Sequence, residues 1–347
     1  MSTPEYPAEV GYPRNQWYVA AFSREVGRNL LARTLLDVPV VLFRLRDGKA
    51  VALLDRCPHR NLPLSMGKLV GDIVRCGYHG IEFDAVGKCT RIPQQDLIPP
   101  RMRVTSYPLV EKWQWLWIWM GDPAKADPTL IPDHYELGLE REGFSGTPFF
   151  TLEIKCNFQL LHENFLDSTH VTYMHEGAFD DGEMAGGKYS VEQKGLVVRL
   201  RRETPNVRPT KAVASYFHVR EGEACDRIHI AETHVPSINI GKNTYIHRKT
   251  QERKDAWGMN ANTPSTRRSC FTFTAITTSY GHEWSVEEIE ATRQVKLQDN
   301  VALEETQRRY DKFGDKLEVS VKSDQGGLAC RRLMTELTQA EAGLPAR

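Results

Sequence analysis

The sequence has no run of apolar residues approaching the ~18 that a membrane-spanning helix needs. It also lacks an excess of either charge. Lys+Arg and Asp+Glu stand at 45 each, so no overall field draws the chain to nucleic acid or to an anionic membrane. Cysteine is sparse: seven in 347 residues, an odd number scattered over positions 57, 76, 89, 156, 225, 270 and 330. A disulfide framework would be denser and belongs to smaller secreted chains. Reduced thiols, some of them metal ligands, are expected instead. The opening MSTPEYPAEVGYPRNQWYVAAF has no basic segment followed by an apolar one, so no signal peptide is read and the expected compartment is the cytoplasm. Internal repeats and low-complexity segments are absent too. What is present is an ordinary globular composition, 40% apolar and 26% charged, in a chain long enough for two domains.

The first third reads as short strands: WYVAAF, PVVLFRL, AVALLD, GIEFDA and WQWLWIWM. Turn signals such as Asp47-Gly48, Pro63, Gly67, Gly71 and Gly87 separate them. This all-β pattern closes at Gly121-Asp122-Pro123, and a polar, Pro-bearing stretch follows. The domains are therefore expected at 10–123 and 124–347. The second part mixes elements. Cys156 to His170 is helical in character, and LVVRLRRE, YFHVRE, RIHIAETHV, NTYIHRK and CFTFTAITTSY read as strands. A long helix starts near Ser285, where Ser-Val-Glu-Glu forms a capping box. The tail after Leu337 reads as frayed. A sheet covered by a long helix makes this domain α+β.

Two residue constellations carry chemistry. The first is Cys57-Pro58-His59-Arg60, then, sixteen residues later, Cys76-Gly77-Tyr78-His79-Gly80. Two thiolates and two imidazoles can hold one zinc ion or a [2Fe–2S] cluster with two His on one iron. Zinc motifs lack this Cys-x-His, Cys-x-x-His order, so the cluster is the reading adopted, with Cys57 and Cys76 on one iron and His59 and His79 on the other. Neutral imidazoles leave such a cluster less negative and easier to reduce than an all-Cys one. Gly77 and Gly80 let backbone approach it, and Pro58 stiffens the other loop.

These motifs resemble the cluster-binding segments of Rieske non-haem iron oxygenases. The flanking Asn15-Gln16-Trp17-Tyr18 and Trp117-Ile118-Trp119-Met120-Gly121-Asp122-Pro123 are similar to the domain edges in the vanillate O-demethylase branch, which includes dicamba and p-toluenesulfonate methyl-oxidising relatives. The resemblance implies an all-β Rieske domain followed by an antiparallel sheet with covering helices, in a helix-grip, START-like arrangement.

The second constellation is Glu163-Asn164-Phe165-Leu166-Asp167-Ser168-Thr169-His170-Val171-Thr172-Tyr173-Met174-His175. Asn164, Asp167 and His170, at i, i+3 and i+6, would share one helix face. His175 could join His170 on one metal only if the helix ends or deforms between them, for which β-branched Val171 and Thr172 are suited. Two His and a carboxylate with open positions is the arrangement of non-haem Fe(II) oxygenases, and the segment resembles the family's Asn-x-x-Asp-x-x-His-x-x-x-x-His signature. The resemblance implies His170 and His175 as iron ligands and Asp299, in Gln298-Asp299-Asn300-Val301, as the third. Val295, Asp299, Ala302 and Leu303 also share a helical stripe, and a core-facing carboxylate is costly unless paired or ligated. A surface Asp299 beside Lys296 is the alternative, with Glu176, Asp180 and Asp181 as rival ligands. The matching Asp of the family hydrogen-bonds an iron-binding His and reaches a neighbouring subunit's cluster. Asp167 would then link His170 to His79 of the partner subunit, which implies a homotrimer. Failing that, Asp167 would fix the His tautomer.

His162 and the other five cysteines read as structural, and Trp113, Trp115, Trp117 and Trp119 as one strand face. Asn260 falls where relatives often carry a pocket His, with a turn residue as the plainer reading. Arg248, Arg220 and Lys242 are further candidates to meet a substrate anion. No Gly-x-Gly-x-x-Gly follows a strand, so electrons must come from another protein, an NAD(P)H-dependent flavin/[2Fe–2S] reductase. The resemblance implies a terminal oxygenase using O2 to hydroxylate a methyl or O-methyl carbon of a small aromatic acid. Ring cis-dihydroxylation and a non-catalytic Rieske electron carrier are the alternatives.

Overall fold

Short apolar runs between turn residues do form strands in the computed structural model, which describes residues 11–133, 139–175, 188–314 and 318–343. The chain divides into two compact units: Arg14–Ile131 with Thr263–Thr266, and the remainder.

The first unit holds ten strands in three antiparallel sheets. These are β1 (Trp17–Phe22), β2 (Leu31–Leu35), β3 (Val38–Arg44), β4 (Ala50–Leu54), β5 (Lys68–Val70), β6 (Ile73–Arg75), β7 (Glu82–Phe83), β8 (Cys89–Arg91), β9 (Leu109–Lys112) and β10 (Trp115–Trp119). Their orders are β1-β10-β9, β2-β3-β4 and β5-β6-β7-β8. The Trp-rich run makes a shorter strand than its alternation suggests. Trp113 and Gln114 both have positive φ, 56° and 65°, and turn the chain between β9 and β10. Only Trp115, Trp117 and Trp119 share the strand face, and all three are buried. Val41, Phe43, Leu53, Val74 and Phe83 pack with Cys57 and Cys76 into one core, so the two cysteine loops rest on rigid hydrophobic support.

The second unit is built on β11 (Ser145–Ile154), α1 (Phe158–Leu166), α2 (His170–Met174), β12 (Tyr189–Lys194), β13 (Val197–Val207), α3 (Lys211–Phe217), β14 (Cys225–His234), β15 (Ile238–His247), β16 (Arg253–Thr266), β17 (Ser269–Thr278), α4 (Val286–Phe313) and α5 (Gln325–Glu341). Seven strands make one sheet, ordered β11-β17-β16-β15-β14-β13-β12. The class is α+β, as expected.

Four expectations need correction. YFHVRE is not a strand: Tyr216 and Phe217 end α3, which Thr210 caps and left-handed His218 terminates. Asn260, for which a turn is the plainer sequence reading, lies inside Arg253–Thr266, the longest of the described strands. The strand's Gly, Asn and Pro residues disguise a segment whose neighbours on both sides supply the ladder. The 156–170 helix breaks at Asp167, which has φ −102° and ψ 94°, so Asp167 and His170 do not share a helix with Asn164. The chain after Leu337 stays helical to Glu341.

Helix α5 anchors α1. Gly326 and Gly327 let it approach Leu166 and Glu163 so closely that an added Cβ would lie 3.1 Å from each side chain. Buried Arg331 then pairs with Glu163 and with Glu318, the latter at 3.2 Å. This clamp holds the helix from which the 167–175 segment departs.

Candidate active site

Residues 57–62 and 76–81 form two loops of the same design. Cys57 N–H donates to Leu62 O and Asn61 N–H to Cys57 O, both at 2.9 Å. In the other loop, Cys76 N–H donates to Ile81 O at 2.8 Å and Gly80 N–H to Cys76 O at 3.1 Å. Asn61 and Gly80, fifth in each loop, take φ of +62° and +69°, a conformation open to Asn and Gly. The matched turns bury Cys57 and Cys76 and leave His59 and His79 exposed.

The two imidazole Nδ1 atoms are 3.1 Å apart, near the ~3.4 Å expected for two nitrogens on one tetrahedral ion. Burial, with Cys76 beside it, pushes the Cys57 thiol up to about 11, so a cation must displace its proton before the sulfur can ligate. Among the described residues, only His170, His175 and Asp299 bring three such ligand atoms within 4.8 Å of one another. The Cys/His quartet thus does not close on a single point, as a tetrahedral zinc site would. A sulfur pair and a nitrogen pair held apart fit a two-iron cluster.

The second cluster forms where α1 breaks. Asp167 caps α1, and the chain re-enters helix at His170 and leaves it again at His175. The short helix ends at Met174 and His175 takes φ −116° and ψ 39°, so the chain does leave the helix between the two His, at His175 itself and not at Val171 or Thr172. Asp299 comes from α4, where the Ser285–Glu288 capping box forms as expected. It lies on the buried stripe with Thr292, Leu303 and Gln307, and is only 4% exposed. His175 Nε2 is 3.0 Å and His170 Nε2 is 3.6 Å from Asp299 Oδ1. Ligands about 2.1 Å from one octahedral ion lie about 3.0 Å apart when adjacent.

Outer partners orient both rings. His175 Nδ1 faces Gln298 Oε1 at 2.9 Å, and His170 Nδ1 faces the Asp167 carbonyl. Both acceptors take the hydrogen on Nδ1, which turns each Nε2 toward Asp299 as the atom that would ligate a metal. Burial would raise the Asp299 carboxyl, but its bond from His175, with Lys296 and His170 nearby, holds it down to about 2. Burial lowers His170. In His175 burial acts the same way, but Asp299 outweighs it and the net direction is upward. The three residues fit a cation: one ionised carboxylate between two imidazoles whose Nε2 atoms face it, any hydrogen held there being displaced when a metal binds.

Other sequence candidates fall as follows. The Asp167 carboxylate accepts from Thr169 N at 2.9 Å and Thr169 Oγ1 at 2.6 Å, so it is the carbonyl, not the side chain, that meets His170. Asn164 Nδ2 lies 3.5 Å from Asp299 Oδ1. Glu176, Asp180 and Asp181 lie outside the described residues. His162 is buried against Asn239 at 2.7 Å, and burial pushes it down to about 4. All seven cysteines are buried thiols outside any disulfide.

A cavity of about 180 Å³ abuts the cluster and reaches the sheet. Asn260 lines it, its Oδ1 taking the Thr274 hydroxyl at 2.8 Å. Arg248 does not line it, being exposed and 3.5 Å from Asp226; Arg220 and Lys242 pair instead with Glu223 and Glu232. Sequence reasoning missed Arg227, His229 and Asn243, which do line it. The available signal was polar residues alternating with Ile228 and Ile230, but which strand face meets a cavity is not written in that alternation.

Residues 16–108 match the Rieske [2Fe-2S] domain, and residues 154–340 match the vanillate O-demethylase oxygenase C-terminal domain. The chain is 31% identical to the oxygenase component of dicamba O-demethylase from Stenotrophomonas maltophilia, over 95% of this chain and 99% of that protein. It is 42% identical to the putative toluene-4-sulfonate monooxygenase system iron-sulfur subunit of Comamonas testosteroni, over 52% of this chain. That match spans about half the relative's length, 51%. The fold is similar to that of dicamba monooxygenase bound to 3,6-dichlorosalicylic acid, with a TM-score of 0.87 and 28% identity over 96% of this chain and 99% of that one. Against the same enzyme with non-heme iron and dicamba the TM-score is 0.79.

Proposed function

Because this chain belongs to the family of Rieske oxygenases with a vanillate O-demethylase-type C-terminal domain, we propose that it is the terminal oxygenase of a multicomponent system. It takes electrons from an NAD(P)H-dependent flavin/[2Fe–2S] reductase and uses O2 to hydroxylate a methyl or O-methyl carbon of a small aromatic acid. An O-methyl product would collapse to a phenol and formaldehyde. Residues 10–123 serve as the electron-storing domain and 124–347 as the oxygen-handling one. The reading sets the protein in the cytoplasm as a homotrimer, with Asp167 on the route between subunits. Among the described residues no helix is long and apolar enough to cross a membrane.

The observation that carries this reading is the His170–His175–Asp299 cluster on the wall of a cavity, in a chain that also carries the Cys/His quartet. Cys57, His59, Cys76 and His79 would hold the cluster, and His170, His175 and Asp299 the iron. When bound, these groups supply one-electron transfer and O2 activation. The chain's own contribution is geometric. Gln298 and the Asp167 carbonyl fix the two imidazole tautomers, and Asn164 flanks Asp299. A cavity of about 180 Å³ suits a single substituted ring, since an apolar cavity of about 150 Å³ takes benzene.

The test is O2-dependent turnover of a panel of methyl-, methoxy- and sulfo-benzoates with a phthalate-type reductase. Formaldehyde or a benzyl alcohol is expected. A cis-diol would replace monooxygenation by ring dihydroxylation, and no oxygenated product at all would leave an electron carrier.

A further inference from the structure

The cavity has two chemically different walls. The helices contribute the cluster described above together with Val171 and Val295, whereas the sheet contributes strands β14 to β17. On β14, Arg227, His229 and Ala231 alternate toward the cavity. In register on β15, Ala231 lies opposite Gly241, His229 opposite Asn243 and Arg227 opposite Tyr245. The wall is therefore bare and apolar at Ala231 and Gly241, where the Phe165 ring would come within 3.3 Å of any added Cβ. It becomes polar toward Arg227.

Asn243 organises the polar end. Arg227 Nη2 lies 3.3 Å from Asn243 Oδ1, and a guanidinium can only donate, so the facing atom is the amide oxygen. The same oxygen is 2.9 Å from His229 Nδ1, which must then carry the hydrogen. His229 is thus locked with Nε2 as a lone pair, and burial pushes the ring down to about 4. It supplies no positive charge at neutral pH. Among the described residues two cations line the cavity, Arg227 and Lys296, and Lys296 is drawn to Asp299 at 3.6 Å. Arg227, only 3% exposed, is the cation of the sheet wall.

We propose that Arg227, steadied by Asn243, is the receptor for the substrate's anionic group, so that the cavity selects one-ring arenes carrying a carboxylate or sulfonate. A guanidinium fork matches either oxyanion through paired N–H donors. The assignment rests on the oxygenase reading for its substrate, but the binding it forecasts can be measured without turnover.

The test uses the iron-loaded, cluster-bearing chain with 4-methylbenzoate, 4-methylbenzenesulfonate and uncharged 4-methylbenzamide, by anaerobic calorimetry. At least one anion should bind about tenfold or more tightly than the amide, and the tighter of the two names the oxyanion. Arg227→Gln should weaken the preferred anion by about ten- to a hundredfold and leave the amide within about twofold. Arg227→Lys, which keeps charge without the fork, should fall between, and it carries the test if the Gln variant fails to fold. Affinity for the anion should stay flat from about pH 6 to 9, because a guanidinium does not titrate there. A loss of affinity on raising pH through about 6–7 would assign the anion to His229 and overturn the proposal, as would equal binding of amide and anions. Product formed from the amide as readily as from the anions would remove the receptor and leave the oxygenase. Anion preference without O2-dependent product would do the reverse.

Discussion

Replacing Asp299 by Asn changes one oxygen to nitrogen and nothing in shape, which isolates charge. The carboxylate is 4% exposed and sits 3.0 Å from His175 Nε2 and 3.6 Å from Lys296 Nζ. Its fall from the ordinary 3.8 to about 2 corresponds to about 2 kcal/mol of native-state preference for the ionised form. Since the native value is the lower one, this stability is complete above 3.8 and is lost as pH drops toward 2. In urea denaturation of the iron-free chain at pH 7, Asp299→Asn should therefore be less stable by about 2 kcal/mol. The iron-loaded proteins should differ further. Wild type should carry about three irons per chain and the variant about two, with its visible cluster absorption intact. O2-dependent turnover should fall by more than about a hundredfold. A variant that keeps three irons and its turnover would refute Asp299 as a ligand. Equal iron-free stabilities would refute only the stabilising effect of the charge and leave the ligand role standing.

Three other perturbations probe different parts of the chain. Gln298→Leu removes the acceptor that sets the His175 tautomer, and Fe(II) affinity measured with a competing chelator should fall by about tenfold. Gly327→Ala places a Cβ 3.1 Å from Glu163 Cγ, and Arg331 prevents that side chain from yielding. A loss of about 1–3 kcal/mol is expected in chemical denaturation. Glu232, which burial would raise, is held down to about 2 by His234, Lys242 and Arg199 against an ordinary 4.5. It contributes about 3 kcal/mol above pH 4.5, lost as pH falls toward 2. Glu232→Gln should flatten the pH dependence of stability in that window, measured by fluorescence-monitored urea unfolding.

Several elements were legible because the physics that forms them is local. The capping box at Ser285 and Glu288 announces the start of α4, and it does so because two neighbouring groups satisfy each other's orphan N–H donors. The Cys-x-His and Cys-x-x-His spacings were readable for a similar reason. Each loop closes on itself through two backbone hydrogen bonds, with Asn61 or Gly80 at the position that needs positive φ. Local signals also misled. Gly258, Asn260 and Pro264 argue for a turn, yet they lie in β16 because the ladders beside them outweigh weak strand propensity. Tyr216 and Phe217 look like strand residues, yet Lys211 to Ser215 and the Thr210 cap set a helix that carries them along.

The sequence by itself determined the chemistry on offer: which side chains could ligate, in which order, and on which kind of segment. Ligand identity and short spacing are covalent facts that survive without a fold. Only the tertiary structure decided that α1 breaks at Asp167, that Gln298 and a backbone carbonyl aim the two imidazoles, and that Arg227, not Arg248, lines the cavity. These depend on contacts between residues far apart in the chain, such as His175 and Asp299, separated by 124 positions. Their energies come from burial and desolvation, which no stretch of sequence experiences until the sheet and helices close around it.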